Sequence, residues 1–280
     1  EGDAHVGKWH RQVSMLSFEK IEAFREKGAD VDFGAFGENL VVEGFDLSKV
    51  PVGTKFQIGE AILELTQIGK ECHSHCAIYK VMGDCIMPRE GVFTRVLKGG
   101  EIKPGDEITM LPLEKDRPFT AAVITLSDKG AAGEREDKSG PLIQEMLMKE
   151  GYDVIETLLL PDGEQPLKHQ LMRLADQRQV NVIFTTGGTG FAERDVTPEA
   201  TQAVCDRMAM GIADAIRQYS LSITGRAMLS RAVSGIRKKT LIVNLPGSPK
   251  AVKESLEYVL PHLGHGLGIL RGTDGECGNS

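Results

Sequence analysis

Asn181-Val-Ile-Phe-Thr-Thr-Gly-Gly-Thr-Gly190 is the stretch on which the fold turns. Residues 181–186 form a short apolar and β-branched run without polar alternation, as in a strand buried on both faces. Glycines end it abruptly and lead into Thr197-Pro198, which reads as a helix start with Thr197 as N-cap and Pro198 at N1. Outward from this strand the same alternation repeats. Residues 119–126 and 154–160 read as strands, 139–150 and 165–177 as helices. Further on, 211–221 reads as a helix, 240–244 as a strand and 250–260 as a helix. Alternating strands and helices predict a parallel sheet covered on both faces.

Open parallel sheets bind ligands beyond the carboxyl ends of their strands. Four polar segments fall on that edge by topology: Ser127-Asp128, Asp162 in Leu160-Pro-Asp-Gly163, the Thr185–Gly190 loop with Asp195 beyond it, and Asn244-Leu-Pro-Gly-Ser-Pro249. Gly187, Gly188 and Gly190 let backbone approach a ligand and offer N–H groups to an anion; a tight turn before a helix accounts for them equally. The loop is neither a P-loop nor a Gly-x-Gly-x-x-Gly fingerprint. Asp162 and Asp195 suit Mg²⁺, which takes one or two carboxylates plus substrate oxygens; the alternative is two ordinary loop charges.

Residues 215–253 contain no Asp or Glu but hold Arg217, Arg226, Arg231, Arg237, Lys238, Lys239, Lys250 and Lys253. The segment reads as anion-attracting or as a solvated basic face. Ser230-Arg231 offers a hydroxyl and a guanidinium to a phosphate. No Ser-His-Asp or Cys-His nucleophile stands out, and His169 and His262 fall on helices. Direct phosphoryl or nucleotidyl transfer by positioning and charge neutralisation is the chemistry that fits.

The 280 residues suit about two domains. Lys+Arg 33 against Asp+Glu 40 gives a net charge of −7, which argues against a general nucleic-acid or anionic-membrane binder. No apolar run reaches the roughly 18 residues of a membrane span. Residues 1–112 read as β-rich, with short runs at 39–44, 55–59, 61–66, 91–97 and 106–111 and one helix near 17–27, suggesting a small sandwich or barrel. Residues 113–118 read as a linker, 119–271 as the α/β domain and 272–280 as a disordered tail. Cys72, Cys76 and Cys85 suggest the thiols of a cytoplasmic protein. Cys72-His-Ser-His-Cys76 admits zinc ligation, buried inert thiols, or a reactive thiol assisted by Lys70, His73 and His75. The chain starts at Glu1, which is expected of a fragment or processed form without a signal peptide.

Ser127-Asp-Lys-Gly130, Leu160-Pro-Asp-Gly-Glu164, Thr185–Gly190, Arg194–Thr201, Leu229-Ser-Arg231 and Asn244–Pro249 together resemble the MogA/MoaB family of molybdenum-cofactor biosynthesis. The resemblance implies adenylyl transfer from Mg·ATP to the terminal phosphate of molybdopterin. It implies catalytic roles for Asp162 and Asp195, both of them also as Mg²⁺ ligands. Ligand-side positions implied are Ser127, Asp128, Thr186, Gly187, Gly188, Thr189, Gly190, Thr197, Pro198, Glu199, Ser230, Arg231, Pro246, Gly247 and Ser248. It implies a homo-oligomer, often a trimer, and a downstream molybdenum-insertion protein as a partner. Met210-Gly211 departs from the family's usual Pro-Gly. A non-catalytic carrier of molybdopterin or molybdenum cofactor is the rival reading.

Gly2–Gly7, Gly37-Glu-Asn-Leu40, Gly53–Gly59, Thr66-Gln67 with Cys72 beyond, Gly91–Val96 and Gly105-Asp106 resemble a MOSC domain, with an upstream strand expected before Gly2. This implies cofactor binding or sulfur carriage at Cys72, with Cys76 as a rival, and His5, Lys8, Arg11 and Arg95 as candidate phosphate ligands.

Overall fold

The computed structural model describes residues 9–72 and 76–274. It divides into two compact units between Glu114 and Lys115. His5, Lys8, His73, His75 and Cys277 lie outside the described residues.

The first unit runs β1 (Val13–Ser17), α1 (Phe18–Arg25), β2 (Leu40–Val42), β3 (Lys55–Ile58), β4 (Ala61–Ile68), α2 (Ala77–Met82), α3 (Met87–Glu90), β5 (Val92–Lys98) and β6 (Ile108–Leu111). Its strands make one curled six-stranded sheet, in the order β2-β1-β5-β4-β3-β6, rather than two stacked sheets. Among the described residues of this sheet, only β1 and β2 pair in parallel. One face packs Met15, Phe56, Leu63, Leu65 and Val92. The other packs Leu16 and Phe93 against Ile21 and Phe24 of α1 and Ile86 and Met87. Adjacent residues Met15 and Leu16 enter opposite cores, as the two-residue period of a strand requires. β1 escapes the sequence reading because Val13-Ser-Met-Leu-Ser17 lacks a turn signal before the helix that follows directly.

The second unit runs β7 (Thr120–Leu126), α4 (Asp128–Ala131), α5 (Ser139–Lys149), β8 (Asp153–Leu160), α6 (Glu164–Asp176), β9 (Val182–Thr186), α7 (Thr197–Val204), β10 (Arg207–Met208), α8 (Met210–Leu221), β11 (Ser234–Arg237), β12 (Thr240–Leu245) and α9 (Pro249–Arg271). The sheet order is β10-β11-β12-β9-β7-β8. β12, β9, β7 and β8 are parallel, as the alternation predicts. β11 and β10 extend the sheet antiparallel, an addition that two short strands bounded by Gly and charged residues do not announce. Ala121, Val123, Val182, Phe184, Val243 and Leu245 face α5, α8 and α9. Ala122, Ile124, Leu126, Ile183 and Ile242 face α6 and α7.

Many boundaries shift by one or two residues, and two of the differences have a clear physical cause. α9 continues through Pro261 to Arg271 instead of stopping at Leu260. Val252, Leu256, Val259, Leu260, Leu263 and Leu267 form one buried stripe at helical spacing, each worth about 1.5–3 kcal/mol on burial. Pro261 sits on the exposed face, where a helix tolerates the loss of one backbone hydrogen bond most easily. α7 begins at Thr197 itself, with Val196 as the preceding cap, because the Thr197 hydroxyl is turned back onto the glycine loop. No helix among the described residues is long and apolar enough to cross a membrane.

Asn244 is fully buried and fully used. Its amide donates to the Thr185 and Thr201 hydroxyls, each at 2.9 Å, and its Oδ1 accepts from the Val233 N–H at 3.2 Å. One side chain thus ties β9, β12, α7 and the entry to β11. Asn244→Leu leaves the Val233 N–H without its partner and is expected to cost about 1–3 kcal/mol, measured by urea unfolding. An unchanged midpoint would remove Asn244 as the pin.

Candidate functional site

The carboxyl ends of β7, β8, β9 and β12 meet at one cavity of about 720 Å³. The backbone makes this convergence close. Gly187 (φ 96°) lies against the Leu126 carbonyl at the end of β7, where a Cβ would collide. Gly188 (φ 64°) lies against the Thr197 hydroxyl. Both positions therefore demand glycine for conformation and for space. Thr197 Oγ1 donates to the Gly187 carbonyl at 2.9 Å, and the Thr197 N–H donates to the Gly188 carbonyl at 3.1 Å. The Thr186 hydroxyl donates to the Pro246 carbonyl at 2.6 Å, and Ser139 Oγ donates to the Gly247 carbonyl at 3.0 Å.

Of the sequence-predicted residues, Ser127, Asp128, Asp162, Thr186, Gly187, Gly188, Asp195, Gly247 and Ser248 line this cavity. Thr197 and Pro246 stand behind the wall as hydrogen-bond partners, and buried Pro198 follows in the first turn of α7. Thr189, Gly190, Glu199, Ser230 and Arg231 are not on its surface. Arg231 instead donates from Nε to the Gly190 carbonyl at 2.6 Å, and from its other nitrogens to the Asp195 carbonyl and the Glu199 carboxylate. The Ser230 carbonyl accepts from Arg217 at 3.1 Å, and its hydroxyl accepts from the Ala232 N–H at 3.4 Å. Asp195 and Arg231 share a second, shallower hollow of about 380 Å³ with Phe191 and Glu199.

The basic segment 215–253 does not supply the cavity's positive charge. Arg237 and Lys238 pair with Asp176, Arg217 with Asp214, Lys250 with Glu254 and Lys253 with Glu257. The cations on the cavity wall are Lys129, Arg135, Lys138 and Arg194. Arg135 donates to Ser127 Oγ at 3.0 Å. Asp137 also lines the cavity and caps α5, accepting from the Ser139 and Gly140 N–H groups, both at 3.0 Å. Arg135, Asp137 and Lys138 escape sequence reasoning because the mixed-charge stretch 132–138 matches no motif. The available signal was its place shortly after the first strand of the parallel set.

Asp128 and Asp162 bind each other reciprocally. The Asp128 N–H donates to Asp162 Oδ2 at 3.2 Å, and the Asp162 N–H donates to Asp128 Oδ1 at 2.9 Å. Partial burial raises the Asp162 pKa above its ordinary 3.8, and the Asp128 and Asp195 charges push the same way; the Asp128 N–H and Arg194 oppose them. Asp195 Oδ2 accepts from the Ala192 N–H at 3.0 Å. Among the described residues no group of three or more His, Cys, Asp or Glu side chains is arranged to hold a metal. Two carboxylates crowded by like charge and open to a cavity nevertheless fit Mg²⁺, which shares its coordination with substrate oxygens.

The family profile described as "Probable molybdopterin binding domain" matches residues 122–265, just over half of the chain. The chain belongs to this family. Its first half matches the MOSC domain profile over residues 2–109. The molybdopterin-binding domain is 40% identical over 153 residues to a molybdopterin adenylyltransferase of Helicobacter pylori, covering 54% of this chain and 87% of that protein. It is 45% identical over 139 residues to the protein of that name from Haemophilus influenzae, covering 49% and 71%. Among solved structures, the molybdopterin biosynthesis enzyme MoaB from Thermus thermophilus is similar at 45% identity and TM-score 0.53, covering 55% of this chain and 97% of that one. The tungsten cofactor synthesizing protein MoaB from Pyrococcus furiosus is similar at 36% and TM-score 0.51, covering 55% and 98%.

In the MOSC domain, Cys72 and Cys76 are exposed while Cys85 is buried, and burial raises the Cys85 thiol pKa. Exposure sets aside the buried-thiol reading for the first two. Arg95 is engaged by the Glu64 carboxylate. Arg11 lies over Trp9 at 4.5 Å, and both Arg11 and Lys70 approach the Phe93 ring, at 5.8 and 5.5 Å.

The raised pKa of Asp162 has a consequence for stability. An acid whose pKa rises on folding costs nothing below its unfolded value, and the cost appears as pH climbs through the folded value. Asp162→Asn keeps an acceptor for the Asp128 N–H and removes the charge. In metal-free buffer the variant is expected to melt higher than the parent at pH 7, with the difference shrinking as pH falls toward 3.8. A lower melting temperature at pH 7 would contradict this account of the site.

Proposed function

We propose that the second unit transfers an adenylyl group from Mg·ATP to the terminal phosphate of molybdopterin. The observation that carries this reading is the convergence of Asp162, Asp195 and the Gly187-Gly188 turn on one cavity with four cations. The similar proteins named as molybdopterin adenylyltransferases support it. A molybdopterin phosphate oxygen attacks the α-phosphorus, the bond to the β-phosphate oxygen breaks, and pyrophosphate leaves. Lys129, Arg135, Lys138 and Arg194 take up phosphate charge at the wall, and the glycine turn lets phosphate lie against backbone. Asp162 and Asp195 would hold Mg²⁺, whose chemistry is to neutralise the phosphate oxygens during transfer. The Asp128–Asp162 pair fixes the two loops that carry these groups.

The test is molybdopterin-dependent release of pyrophosphate from Mg·ATP by the intact chain. Asp162→Ala and Asp195→Ala are each expected to lower turnover about 10²–10³-fold while molybdopterin still binds. Binding without any pyrophosphate from the parent protein would leave a carrier of the cofactor instead.

We further propose that Cys72 or its neighbour Cys76 carries sulfur in the MOSC domain. Their exposure, against the burial of Cys85, supports this. The thiolate takes the outer sulfur of a donor persulfide, and the donor leaves as a thiolate. Incubation with a persulfide donor is expected to add one sulfur atom by intact-mass spectrometry, lost in Cys72→Ser; retention in Cys72→Ser and loss in Cys76→Ser would move the role to Cys76.

A further inference from the structure

We infer that Arg231 is a positioning residue: it fixes the 190–199 loop, and with it Asp195 and Arg194, against the cavity, and does not bind a phosphate. The inference rests on the adenylyl-transfer reading only for its kinetic consequence. Arg231 enters from the segment before β11, an element remote in sequence from the loop it holds. Its backbone N–H donates to the Thr189 carbonyl at 2.9 Å and its Nε to the Gly190 carbonyl at 2.6 Å. The remaining guanidinium nitrogens reach the Asp195 carbonyl and the Glu199 carboxylate. One planar group therefore meets the start of the loop, its carboxylate-bearing residue and the first turn of α7.

The segment between Gly190 and Thr197 has no helix or strand to hold it. Its internal restraint is one small turn, in which the Asp195 N–H donates to the Ala192 carbonyl at 2.8 Å and Asp195 Oδ2 accepts from the Ala192 N–H. That turn sets the shape of residues 192–195 but not their place over the cavity. The Arg231 bonds supply the placement. The charge on Arg231 is spent on these acceptors, and its side chain faces the hollow behind Asp195 rather than the cavity where Asp162 stands. The pair with Glu199 is partly solvent-exposed and contributes little, so the two carbonyl bonds are the working contacts. A lysine at this position keeps the charge but cannot reproduce a rigid fork aimed at three points.

The variant that decides is Arg231→Lys in the full chain, read in two ways. Hydrogen exchange of the ligand-free protein is expected to speed up at least tenfold over residues 190–199 and to stay unchanged in β7 and β9. In turnover, kcat is expected to fall tenfold or more with the KM values for ATP and molybdopterin within twofold. Arg231→Ala with added guanidinium is expected to recover part of the lost kcat. Unchanged exchange in the loop overturns the inference, as does a raised KM with kcat intact, which would make Arg231 a ligand contact. If the parent protein shows no adenylyl transfer, the exchange measurement still decides whether Arg231 holds the loop, while the functional reading falls on its own.

Discussion

The approach of the Gly187 backbone to the end of β7 is the constraint on which the second unit's site depends. A Cβ at Gly187 would run into the Leu126 carbonyl, and one at Gly247 would come within 3.4 Å of the Gly187 Cα. The ends of β7 and β9 are thereby brought nearer than a side chain at Gly187 would allow, and the β12 end packs in ordinary contact beside them. Everything that lines the cavity is attached to one of those ends or to the neighbouring end of β8. A parallel sheet guarantees that its loops emerge on one edge. It does not guarantee that they touch, and the glycines supply that second condition.

Polar groups behind the wall turn this proximity into a fixed shape. Thr186 reaches the Pro246 carbonyl, Ser139 the Gly247 carbonyl and Thr197 the Gly187 carbonyl. Each bond joins residues far apart in sequence or on opposite sides of a turn. Asn244 performs the same task one layer deeper, between β9, β12 and α7. Hydroxyl and amide groups are suited to this because buried carbonyls must find donors, and a satisfied network rigidifies what it joins. The front of the wall is left to charged groups, whose remaining valence faces the cavity.

Much of this was readable in the sequence because it follows from strict periods. The run 181–186, the glycines after it and the strand–helix alternation fix the parallel sheet and the ligand edge without any contact information. Asp162, Asp195, Ser127 and Gly188 were placed on the right edge by that topology alone. What the sequence hid depends on where a flexible side chain points. Arg231 looked like a phosphate ligand and holds backbone. Thr197 looked like a helix cap and holds a glycine turn. The basic run 215–253 looked like an anion surface, yet most of its charges meet carboxylates or carbonyls on neighbouring elements. Arg135 and Lys138 carried no sequence signal and line the cavity. Backbone period survives the move from one dimension to three, whereas the partner of a long cationic side chain does not.

The charge arrangement at the cavity bears on the proposed binding of a phosphate-rich ligand by an acidic protein. Asp128, Asp137, Asp162 and Asp195 share the wall with Lys129, Arg135, Lys138 and Arg194. Asp162 carries a pKa raised by burial and by its acidic neighbours, which outweigh the opposing effect of Arg194. Asp137 and Asp128 spend carboxylate oxygens on backbone N–H groups instead. Cations and carboxylates that face one space without closing on each other are each left with unsatisfied charge. A ligand that brings phosphate oxygens together with a divalent cation satisfies both sets at once, and a lone anion or a lone cation satisfies only one. Such a wall suits a metal–phosphate complex better than either component alone, which is the substrate form that the proposed transfer requires.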